Sequence, residues 1–180
     1  DYLDWDKYFY DQVSLDSAFS KRVYVDGWLS SAYSTMDYIG EFSEPFRWTA
    51  DDLYHPDMKE YHEGNYSADN QFSDSNQNES RLWKYYEGIR KASTFVNNVD
   101  LCPELTMDEK TDMKGQARFL RAYCYWALMR VYGPVPLIPL EGLDVNLSYE
   151  ELSLPREHFD VLVDFVDKEL MEAARSLSSM

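Results

Sequence analysis

The chain has 180 residues, 44% of them apolar and 16% aromatic, enough to bury one core and too few for two independent domains. Its 33 acidic and 17 basic side chains leave a net charge of -16, which repels phosphate backbones and anionic headgroups and argues against nucleic acid as a partner. Acidic chains that stay disordered lack aromatics; 15 Tyr, 9 Phe and 5 Trp predict a folded core instead.

Four segments repeat apolar residues at three and four positions, the period of a helix with one face buried. The first is predicted over residues 14 to 39, with Ser14 as its cap and Leu15, Ala18, Val25, Leu29, Ala32 and Met36 on one stripe. The second runs over residues 79 to 99, with Leu82, Tyr86, Ile89 and Val96 on one face and Gly88, Ala92, Phe95 and Val99 beside it. Trp83 and Tyr86 are expected in the core. The third, from Met107 to Val131, is bounded by a capping box of Thr106 and Glu109 and by Gly133-Pro134. Its stripe is Met113, Ala117, Leu120, Cys124, Ala127 and Val131. Phe119, Tyr123 and Trp126 widen that stripe, so the helix should lie between two neighbours with these aromatics buried. The fourth is expected to open at Pro155, a favoured first-turn residue, and to carry Phe159, Leu162, Val163, Val166, Leu170, Ala173 and Leu177 inward.

Residues 40 to 78 and 133 to 154 read as loops, and a segment as long as the first is usually functional or disordered. Cys102 falls in the turn before the third helix and Cys124 roughly 25 Å along it, too far apart for a disulfide, so two free thiols are expected. No apolar run reaches the roughly 18 residues of a membrane-spanning helix. Asp1 and Met180 read as fragment boundaries, with any export signal already removed. The expected architecture is all-α, two tetratricopeptide-like hairpins over residues 14 to 99 and 107 to 177 with long irregular loops, in a single domain covering 1 to 180.

The string Lys-Gly-Gln-Ala-Arg-Phe-Leu-Arg-Ala-Tyr-Cys-Tyr-Trp-Ala-Leu-Met-Arg-Val-Tyr-Gly-Pro-Val-Pro-Leu-Ile-Pro at 114 to 139 resembles the signature of the SusD-like (RagB/SusD) family. Trp83, Tyr86, Ile89 and Ala92 upstream, and Pro155-Arg156-Glu157 with Lys168-Glu169-Leu170 downstream, match the same family in order. Gln116 and Pro134 depart from it, standing where Glu and Asp are usual. The resemblance implies the amino-terminal, helical part of a nutrient-binding lipoprotein on the cell surface at the outer membrane. It further implies capture of an oligosaccharide or polysaccharide for a SusC-like TonB-dependent transporter, and attachment to the membrane only through a lipid anchor that this chain lacks.

The loop 40 to 78 interleaves Phe42, Phe46, Trp48, Tyr54, Tyr61, Tyr66 and Phe72 with Asp51, Asp52, Asn65, Asp69, Asn70 and Asn76. Aromatic planes cover the C–H face of a sugar ring while carboxylates and amides meet its hydroxyls, so Trp48, Asp52, Tyr54, Tyr61, Tyr66 and Asn70 are the candidate ligand contacts. Two roles fit these aromatics equally: sugar contact, or anchoring a long loop to the helices. Arg118 and Arg121 are expected to tie the third helix to acidic partners. His55, His62 and His158 lack metal-ligand spacing, no carboxylate pair suits glycoside hydrolysis, and no phosphate loop or nucleophile elbow occurs, which predicts a binding protein without cofactor, not an enzyme. The alternative is a tetratricopeptide-like scaffold for protein partners.

Overall fold

A computed structural model describes residues 15–36, 54, 56, 59–65, 81–143 and 148–177. The helices are α1 (Leu15–Ala18), α2 (Arg22–Tyr33), α3 (Lys59–His62), α4 (Arg81–Asn98), α5 (Met107–Tyr132), α6 (Tyr149–Leu152) and α7 (Phe159–Ser176), with a 3-10 turn at Val99–Leu101 and no strand among the described residues. The all-α class holds.

Cross-helix contacts give the direction of each helix. Phe19 packs on Phe95, Trp28 donates to the Lys91 carbonyl, and Thr35 lies at Gly88, so α2 and α4 run antiparallel. Arg22 pairs with Glu109 near the start of both helices and Tyr33 donates to Gln116 further along, so α2 and α5 run parallel. Gly115 meets Ser176, Arg118 meets Glu169, and Tyr125 meets Phe165, which makes α7 antiparallel to α5. These are the hairpins expected from the sequence, with α5 packed on α4 and α7 as its two-sided stripe requires.

Two contiguous clusters make the core. Val25, Leu29, Ala32, Phe95, Val99 and Leu120 belong to one, between α2, α4 and the first half of α5. Tyr85, Ile89, Tyr125, Leu128, Val135 and Leu162 belong to the other, between α4, the second half of α5 and α7. Each fully buried Leu or Phe contributes on the order of 1.5–3 kcal/mol. Cys102 and Cys124 are buried free thiols.

The boundaries depart from expectation at several places. The first helix is broken: Phe19 turns inward against Trp28 and Phe95, Ser20 Oγ bonds the Ser17 carbonyl, and Lys21 takes extended backbone before α2 starts. Ser14 lies outside the described residues. α5 keeps its capping box, with Thr106 Oγ1 accepting from the Glu109 N–H at 3.3 Å and Glu109 Oε2 accepting from the Thr106 N–H at 2.9 Å. It ends at Gly133, whose φ of 67° suits glycine. Gln116 donates to Asp112 and accepts from Tyr33, so the amide joins two helices.

The last long helix starts at Phe159, not Pro155, because the Glu157 N–H donates to the Val135 carbonyl and holds that stretch extended. Within the supposed loops, α3 adds one turn and α6 another, the latter closed by a Ser148–Glu151 capping box.

Six burial assignments are overturned. Trp83 is 71% exposed because it stands two positions, about 200° of helix, from buried Tyr85. Trp126 is 44% exposed for the same reason relative to Cys124 and Leu128, and the Arg130 guanidinium lies 4.5 Å from its ring centroid. Phe159, Val163, Leu170 and Leu177 are exposed on the outer side of α7, where Leu162, Phe165 and Glu169 face α5 instead.

Candidate functional site

Of the residues proposed to contact ligand, Tyr54 is placed in full: it is 62% exposed, and its ring lies 5.4 Å from that of His62 at 37°. His62 ends α3, whose backbone also includes Tyr61, so Tyr54 lies against the turn that carries the second candidate. Trp48, Asp52, Tyr66 and Asn70 lie outside the described residues.

A second feature is built by the motif that follows α5. Arg121 and Tyr125 are one helical turn apart and face the returning chain. Arg121 Nη2 donates to the Ile138 carbonyl at 2.7 Å, and the Ile138 N–H donates to Tyr125 Oη at 2.7 Å. Asn97 Nδ2 donates to the Leu140 carbonyl at 2.8 Å, and Tyr86 Oη donates to the Pro136 carbonyl at 3.1 Å. The chain is thereby fixed parallel to one side of α4 and leaves a groove of about 270 Å³ between them, with Tyr86, Arg90, Ser93 and Asn97 on the helix side and Ile138 to Leu143 opposite.

Electrostatics accord with this packing. Burial pushes the Tyr125 phenol up to about 12 and the Tyr86 phenol higher still, so both remain neutral donors or acceptors at physiological pH. Arg121, 3% exposed, shares Glu169 with Arg118, which lies 2.8 Å from its carboxylate, and stacks 4.8 Å from the Phe165 ring centroid. These arginines tie helix to helix, as expected. Among the described residues no group of three or more His, Cys, Asp or Glu converges to hold a metal.

The groove was not anticipated from the sequence. Its helix side was nevertheless visible there, since Trp83, Tyr86, Arg90, Ser93 and Asn97 alternate by three and four.

Comparison with known proteins agrees with this architecture. The profile of a SusD-like family described as starch-binding and associating with the outer membrane matches residues 1–179. SusD-like protein P25 of Formosa agariphila is 28% identical over 122 residues, 65% of this chain and 22% of that protein. The chain thus spans about a fifth of that relative. Two crystal structures from Bacteroides fragilis share the fold. A SusD-like protein superposes with a TM-score of 0.65 at 21% identity, over 94% of this chain and 33% of that one. A SusD-like carbohydrate-binding protein superposes with a TM-score of 0.66 at 22% identity, over 90% and 33%.

Proposed function

The chain belongs to the SusD-like family, and on that ground we propose that it is part of a cell-surface protein that binds oligosaccharides or polysaccharides and passes them to a SusC-like TonB-dependent transporter. The observation that carries this reading is the family match along residues 1–179. The protein acts by binding, not by catalysis, and is held at the outer membrane through a lipid anchor. No helix among the described residues is long and apolar enough to cross a membrane.

The long loop makes the first contact with the glycan. Tyr54 beside His62 presents an exposed aromatic edge there, and Trp48, Asp52, Tyr61, Tyr66 and Asn70 complete the aromatic and amide mixture. A glycan array followed by calorimetry on the full-length protein tests this. Trp48→Ala and Tyr66→Ala each weaken binding by about two- to tenfold, the worth of a stacking aromatic, and leave the melting temperature unchanged. Absence of binding to every glycan on the array overturns the reading. Co-purification of the transporter tests the partner separately.

A scaffold role for protein partners is favoured by the outer side of α7, where Phe159, Val163, Leu170 and Leu177 stay partly exposed. It is compatible with glycan capture, because a helical face can meet a partner while the loop meets the ligand.

A further inference from the structure

Trp83 has no place in the core, yet it is a large indole left in water at the first turn of α4. It stands on the same side of the helix as Tyr86, Arg90, Ser93 and Asn97, the residues that line the groove. From Trp83 to Asn97 this row covers about 21 Å, the length of several linked sugars and far more than one. The far wall is rigid, because Arg121, Tyr125 and Asn97 all bond its backbone.

Two chemical features point to the occupant. Ser93 is 5% exposed, and its buried Oγ, on the groove side of α4, has no hydrogen-bond partner among the described residues, although a helical serine ordinarily bonds the carbonyl one turn back. One cation, Arg90, and one anion, Glu141, line the groove, so it favours no net charge on its ligand. An exposed indole, hydroxyl and amide groups, and balanced charge suit a hydroxyl-rich, neutral chain.

We infer that α4 carries a second glycan-contacting surface, separate from the loop 40 to 78, on which a neutral oligosaccharide lies along the helix with one ring stacked on Trp83 and a following ring seated over Ser93. This rests on the glycan-binding reading above and adds a contact that gives a chain-like ligand a second hold.

The test uses the full-length protein labelled with 5-fluorotryptophan, the Trp83 resonance assigned through Trp83→Phe, and titration with maltoheptaose, cellohexaose, xylohexaose and mannohexaose. At least one of these shifts the Trp83 signal saturably while that of the half-buried Trp28 stays still. Trp83→Ala weakens that affinity about three- to tenfold with an unchanged melting temperature, and Trp83→Phe retains most of it. Ser93→Ala also weakens binding but raises the melting temperature, because it removes an unpaired buried hydroxyl. If an oligosaccharide binds and the Trp83 signal does not move, this surface is refuted and glycan capture stands. If none binds, both fall. If Trp83→Ala lowers the melting temperature of the full-length protein, another protein surface covers the indole and the inference is overturned.

Discussion

Arg121 and Ile138 are joined by a 2.7 Å hydrogen bond from guanidinium to carbonyl, and the Ile138 N–H is taken in turn by Tyr125. One residue of the returning chain therefore has both backbone polar groups satisfied by side chains of α5. This is the physical content of the Arg-Ala-Tyr-Cys-Tyr and Val-Pro-Leu-Ile strings: the first supplies the clamp and the second is the segment clamped.

Breaking the clamp costs unequal amounts. Tyr125→Phe leaves the Ile138 N–H buried without an acceptor and destabilises by about 1–3 kcal/mol. Arg121→Met also deprives buried Glu169 of one of its two cations, for a loss of about 3–5 kcal/mol. Urea denaturation of both variants checks the order; a greater loss for Tyr125→Phe contradicts it.

Alkaline pH attacks the same region. Tyr125 ionises near 12 in the folded protein, against 10.0 unperturbed, because burial disfavours the phenolate. Below pH 10 the phenol is neutral in both states and its contribution is complete. Between 10 and 12 the unfolded chain releases the proton first, so stability falls by on the order of 2–3 kcal/mol as pH rises. Tyr86 shifts in the same direction. Stability measured from pH 8 to 12 declines steeply in the native sequence and less in Tyr125→Phe.

The glycines separate space from flexibility. A Cβ on Gly88 would collide with Thr35 Oγ1 and meet Cys124 Sγ at 2.7 Å, where α2, α4 and α5 come together. Gly88→Ala therefore destabilises by about 1–3 kcal/mol. A Cβ on Gly27, on the exposed side of α2, meets nothing within 4 Å, so Gly27→Ala stabilises by about 0.5–1 kcal/mol. Opposite shifts in thermal midpoint are the expected result.

Acid weakens the α5 cap. Glu109 is held below its usual range by the Thr106 N–H first and by Arg22 next, so its contribution is present above pH 4.5 and is lost as pH falls through its lowered folded value. Glu109→Gln flattens the acid limb of the stability profile, and Arg22→Ala flattens it less.

The sequence made the long helices and their pairing legible because burial of one face imposes a period that three or four turns repeat. Thr106, Glu109 and Gly133 marked the ends of α5 because caps are local chemistry. The same chemistry at Ser148 and Glu151 caps α6, but a four-residue helix is too short to repeat a buried face. Trp83 misled because an aromatic next to Leu82 and Tyr86 looks buried, whereas its angle from Tyr85 places it in water. The groove joins α4 to residues 138 to 143, which are remote in the chain, and only folding brings them together. The break at Phe19 likewise depends on Phe95, a partner that no local pattern contains.

The bond from the Glu157 N–H to the Val135 carbonyl, reinforced by Arg156 reaching the carbonyls of Tyr132 and Pro134, closes the backbone on itself just before α7. Beyond Leu140, the last residue that α4 and α5 hold, the excursion returns to this fixed neck. Because the closure entropy of a loop grows only with the logarithm of its length, about 0.6 kcal/mol per doubling, this neck insulates the helices from changes in the excursion's size. The stretch around exposed Tyr149 can therefore be lengthened, replaced or fused to a reporter while α5 and α7 keep their register.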